Sequence, residues 1–189
     1  MIATVKAVIF SLLILVATTG KSAASDSTQT EESFSKYAPP NSVGLGIGLA
    51  FGGVGISYDR ELNERVTLTA AIGDHPDAPD LTYQMGAKWF IHKGRIWQPR
   101  LTFLYGTNTY VNNGCGWICF VPEIKKQFEG ASVGLGQRFI LGRRARHSID
   151  VDFFLSSPPS EAKDLVAESD GRLKKNANTH LAIGYRYYF

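Results

Sequence analysis

Cysteine is nearly absent from this 189-residue chain: Cys115 and Cys119 are the only two, and they stand close together. That excludes a disulfide-stapled miniature domain and any site built from many thiolates. Neither sign of charge dominates, with 20 Lys and Arg against 17 Asp and Glu. No basic stripe of the kind that grips nucleic acid is implied, and no nucleic-acid partner is expected. Long hydrophobic runs are also missing. The longest, from Ala7 to about Ala17, falls well short of the roughly 20 residues that a spanning helix requires. No cofactor-binding motif occurs either, and no cofactor is expected.

The short apolar run has a different use. Lys6 precedes it and small residues ending in Ser22-Ala23-Ala24 follow it, the pattern of a cleavable export signal. Residues 1–24 are therefore expected to be a signal peptide, and loss of Lys6 and Lys21 with it leaves the mature chain close to neutral. Residues 25–41 are polar and Pro-containing, and they read as a flexible periplasmic lead-in. Export places Cys115 and Cys119 in an oxidising compartment, so a local disulfide between them is expected. Their spacing of three intervening residues is not that of a thioredoxin-like redox pair. A ring so small stabilises a fold by only about 2 kcal/mol in the chain-entropy model, so its expected use is to shape a loop presenting Trp117, Ile118 and Phe120.

From residue 42 to residue 189 the period is two. Val43, Leu45, Ile47, Leu49 and Phe51 alternate with Gly and other small residues, and comparable rows recur to Leu181, Ile183, Tyr185, Tyr187 and Phe189 at the end. Eight such strands are expected, joined alternately by short turns (around Asn63, His92 to Arg95, Gly142 to Arg146) and by long loops (Gly73 to Asp80, Asn112 to Lys126, Pro158 to Asn176). The exception is the first hairpin, whose outer loop is only Phe51 to Gly53. This is the pattern of an all-β, transmembrane, antiparallel up-and-down barrel, with short turns and both chain ends in the periplasm. A soluble barrel would carry long polar side chains outside, whereas here the polar rows are mostly Gly, Ser, Thr and Ala, suited to a narrow lumen. The apolar rows then face lipid, with Trp89, Trp97, Tyr185 and Tyr187 near the interfaces. Gln137 alone falls on the apolar face, which suggests a bulge or an interfacial position.

Tyr185-x-Tyr187-x-Phe189, with an aromatic as the last residue, resembles the terminal assembly signal of outer-membrane barrels. Residues 42–189 resemble in pattern the small eight-stranded outer-membrane barrels of the OmpX-like and opacity-type superfamily. The resemblance implies the outer membrane of a Gram-negative cell envelope, contact with its lipid and lipopolysaccharide, and the barrel-insertion machinery as an assembly partner. It brings no catalytic or ligand motif with it. A structural or surface-interaction role through the extracellular loops is the expectation, as a monomer with a loop partner that sequence does not identify. Alternatives are a minor channel for small hydrophobic molecules, or a lipid-A-modifying acyl hydrolase or transferase.

Three sets of residues invite chemistry. Ser156 and His180 fall on adjacent strands, both inward and at similar heights, and together would be the nucleophile and base of the enzyme reading. Asp74, Asp77 and Asp80, with His75 among them, crowd one loop and would suit a divalent cation. The third set is expected to close the lumen. Asp59, Lys88, Arg100, Arg138, Asp150, Asp152 and Arg186 are inward by alternation, lie near short turns or the chain end, and should pair with one another at one level. Small residues such as Gly46, Gly48, Ala71, Gly106 and Gly134 line the space above them, so any cavity is expected to open away from the charges.

Overall fold

A computed structural model of the chain describes residues 40–94, 96–112, 125–142, 146–169 and 173–189. The expected signal peptide, most of the lead-in and the Cys115–Cys119 disulfide lie outside the described residues.

Exact alternation drives the strands, because every second side chain must share one environment. They are β1 (Asn41–Gly48), β2 (Gly53–Glu61), β3 (Val66–Asp74), β4 (Thr82–Phe90), β5 (Trp97–Asn112), β6 (Lys125–Leu141), β7 (His147–Ser156), the two-residue β8 (Lys174–Lys175) and β9 (Thr179–Tyr188). Each barrel strand pairs antiparallel with its neighbours in the sequence, and β1 pairs with β9 to close the ring. The closed barrel has eight strands, all but β8, so no barrel edge is left open.

The polarity of a soluble protein is inverted here. Leu45, Ile47, Val54, Leu135 and Leu181 are all more than half exposed on the outside, while Arg100, Arg138 and Arg186 are each only 1 % exposed inside. Such a continuous apolar exterior is the surface of a barrel solvated by lipid. Among the described residues no helix is long and apolar enough to cross a membrane; the crossing elements are strands.

The two ends differ. At one end the turns are tight: Asn63 Oδ1 accepts the backbone N–H groups of Arg65 (2.8 Å) and Val66 (2.9 Å), and Gly142 supplies the positive φ of 75° that the β6–β7 turn uses. At the other end β5 and β6, of 16 and 17 residues, run on past the ring as a two-stranded ribbon. A β-bulge between Thr107 and Thr109 changes the ribbon's facing. The long loop between β7 and β9 carries the helix α1 (Ser160–Glu168) and then β8, which pairs with Val111 and Asn112 of β5. Ala162 of α1 packs with Val111 and Leu173, and Phe128, Leu165 and Val166 close around them, so this end has an apolar core of its own.

Two expectations are corrected. Leu49 and Phe51 do not continue the lipid-facing row of β1. The chain leaves the strand at Gly48 (φ 100°), makes a 3-10 turn over Leu49–Phe51 capped by Gly52 (φ 66°), and buries both side chains inside the barrel. Gln137 marks no bulge. It sits in regular register opposite Pro99 and Val151, and the bulge of β5 and β6 lies further along the ribbon.

Candidate functional site

The barrel interior is built in layers, and the lowest, next to the short turns, holds the seven charged residues. Their strands are tilted and staggered, so inward side chains from β2, β4, β5, β6, β7 and β9 converge at one level. Asp59 lies 2.7 Å from Lys88 Nζ, 3.1 Å from Arg186 Nη1 and 3.2 Å from Arg138 Nη2, and it also accepts the Thr69 hydroxyl at 2.6 Å. Asp150 accepts from Arg138 Nε and Arg186 Nε, both at 3.1 Å. Arg100 holds Asp152 with two groups, Nε at 3.0 Å and Nη2 at 2.6 Å, the fork geometry that suits a carboxylate. Its Nη1 lies 3.1 Å from Asp150, an ion-pair contact rather than an aligned hydrogen bond.

Sequence neighbours alone would couple Asp152 to Arg138 or Arg186. The stagger instead brings it to Arg100, two strands away. Residues outside the expected set complete the layer. Phe90 lies under the guanidinium of Arg138 at 4.7 Å, Tyr188 lies beside it at 5.4 Å, and Glu61 reaches both Lys93 (2.8 Å) and Arg138 (3.9 Å). Phe90 and Tyr188 are inward by alternation, which was the available signal.

Above the charges the small residues do not leave open space. Phe51, Leu49 and Ala50 of the 3-10 turn pack with Leu104, Phe154 and Ala182 as an apolar layer. A Cβ at Gly46 or Gly184 would collide with the ring of Phe51, and one at Gly134 with the ring of Phe154. Gly46, Gly134 and Gly184 are sockets for aromatic rings, so an apolar layer, and not the charges, bounds the space above.

The third layer is polar. Asn108 donates to Ser132 Oγ (3.1 Å), Ser132 bonds Ser156 Oγ (3.2 Å), and Gln84 donates to the Thr107 carbonyl. Thr82 bonds the carbonyl of Gly52 and so ties the 3-10 turn to β4. Ser156 is thus engaged with Ser132, and among the described residues no hydrogen bond joins it to His180, whose Nε2 has no partner.

His75 stacks on Tyr110 with ring centroids 4.1 Å apart, and its Nδ1 accepts the Asp77 backbone N–H at 3.2 Å. Burial against the ring pushes the His75 pKa below its ordinary value, against the opposing pull of Asp77 and Asp74. Asp77 also accepts from Asn112 of the ribbon at 3.1 Å. Among the described residues no group of three or more acidic, histidine or cysteine side chains is placed to hold a metal. Tyr185, Tyr187 and Phe189 stand exposed in one row on the outside of β9.

No family model and no curated protein matches the chain. Solved structures do. The N-terminal β-barrel domain of Pseudomonas aeruginosa OprF is similar with a TM-score of 0.52 at 11 % identity, covering 80 % of this chain and 99 % of that one. Ail, the attachment invasion locus protein of Yersinia pestis, is similar at a TM-score of 0.44 and 13 % identity, over 80 % of this chain and 99 % of that one. A de novo designed transmembrane β-barrel is similar at 0.40 and 8 %, over 80 % and 97 %. At these identities the likeness is one of fold, and the fold is that of the small eight-stranded outer-membrane barrels.

Proposed function

We propose that this protein is an integral outer-membrane barrel with a closed interior, whose work is done at the surface by the β5–β6 ribbon and the loops packed against it. In this reading the short turns and both chain ends face the periplasm, as the alternation of short and long connections suggests. The observation that carries the proposal is the continuous layer of buried ion pairs across the barrel, roofed by Phe51, Leu104 and Phe154. A lumen so filled offers neither a water path nor a substrate bed. The folded platform of α1, β8 and the ribbon remains as the part able to meet another molecule. Tyr185, Tyr187 and Phe189 fit the insertion machinery's recognition row during assembly.

The test is planar-bilayer recording of the refolded protein. No large, stable conductance is expected, and a steady single-channel current in the unmodified protein would overturn the closed-barrel reading.

A further inference from the structure

We infer that the short-turn rim of the barrel is an electrostatic foothold for the anionic phospholipid headgroups of the periplasmic leaflet, an inference that rests on the orientation proposed above. Exposed cationic side chains come from two of the short connections, Arg65 and Arg146, while Lys93 of a third is paired with Glu61. Arg65 lies in the β2–β3 turn, Lys93 in the β4–β5 turn, and Arg146 at the foot of β7. Arg65 and Arg146 are exposed. Acid at this rim is sparse and partly committed, since Glu61 is held by Lys93 and Arg138, which among the described residues leaves Glu64 as the exposed acidic side chain of these turns. The opposite end is of mixed sign, with Asp74, Glu161 and Asp164 exposed alongside Lys126 and Lys163.

Lipid, rather than a soluble acidic partner, is favoured by what surrounds the cations. Leu62, Ile91, Ile96 and Trp97 are each more than half exposed in the same turns or next to them. His147 packs against Tyr185 and Tyr187 on the lipid-facing side, next in sequence to Arg146. Cations interleaved with outward apolar and aromatic side chains match a membrane interface, where the ring or alkyl group enters the lipid and the charge meets phosphate. A Lys or Arg beside an anionic bilayer surface changes the binding constant by about fivefold, and that contribution is screened by salt.

The probe is phosphatidylglycerol offered against phosphatidylethanolamine in mixed detergent micelles, with the lipid retained on the folded barrel read by native mass spectrometry. The intact protein should retain phosphatidylglycerol preferentially, and added salt should weaken the preference. Arg65→Gln with Arg146→Gln should reduce it by about fivefold per arginine, while Lys126→Gln with Lys163→Gln should leave it unchanged. Heat modifiability confirms folding, which exposed turn residues should not disturb. No preference in the intact protein, or none lost in the arginine pair, overturns the inference. A peptide tag in the β2–β3 turn that is labelled from outside intact cells would instead overturn the orientation on which the inference stands.

Discussion

Asp59 is one of two carboxylates, with Asp150, that each meet three buried cations, and it is the one that holds Lys88. It contacts Lys88, Arg138 and Arg186 at once, sharing the two arginines with Asp150, and all of them are within a few per cent of complete burial. A buried ion pair adds little to stability compared with a well-packed apolar group, but removing one partner strands the other charge away from water. Asp59→Ala should therefore lower the unfolding free energy by at least about 3–5 kcal/mol, the usual cost of breaking one such pair. Urea unfolding in detergent micelles, followed by heat modifiability, measures it. Glu64→Ala, in the exposed turn nearby, should change the same measurement by less than about 0.5 kcal/mol. Equal effects would mean that the interior charges are solvated rather than paired. The inward placement of Asp59 and Arg138 is legible from alternation alone, because a period of two leaves a strand residue only two directions to face.

The hairpin between β1 and β2 and the loop between β3 and β4 are the elements that shape the upper interior. Phe51 enters the barrel because Gly48 and Gly52 turn the chain inward and because Gly46 and Gly184 leave room for its ring. Phe51→Ala empties that socket and should cost about 3–5 kcal/mol, the range for truncating a buried phenylalanine. It should leave the bilayer conductance near zero, since the ion-pair layer beneath is untouched; a new steady current would show that Phe51, and not the charges, closes the lumen. In the β3–β4 loop, His75 accepts a backbone N–H through Nδ1, which only the neutral ring can do. Its folded pKa lies below the ordinary 6.5, so protonation favours the undocked loop. Its stabilisation of the docked loop is present above about pH 6.5 and is lost as pH falls through the folded value. Limited proteolysis of the loop should accelerate with acidification over that window, and His75→Gln should abolish the acceleration. Helix α1 had a readable signal in Ala162, Leu165 and Val166 at i, i+3 and i+4, although it is too short to declare itself without the ribbon it covers.

For the molecule as a whole, three interior layers (ionic, apolar, polar) succeed one another from the short turns toward the ribbon. The exterior does the reverse of a soluble fold and carries its apolar side chains outward. The ring confers stability by pairing every barrel strand on both sides, which leaves the loops free to vary without loss of the frame. The two rims differ in charge, and the lipid-retention experiment reads that difference through the arginine and lysine pairs. Closure, layering and rim polarity are properties of the assembled ring, and none belongs to a single strand.

The eight barrel strands, the inward set of seven charges and the outward aromatic row at Tyr185 to Phe189 follow from alternation, a local property in which each residue's direction is tied to its neighbour's. The same alternation continues in sequence through Leu49 and Phe51 and so points both to lipid. Only tertiary structure turns them inward, because the space they fill is made by glycines on β1 and β9 together. Likewise the partner of Asp152 is Arg100 and not a charge on the next strand. Which charges meet across a lumen depends on the stagger accumulated around a closed ring, and no single strand carries that information.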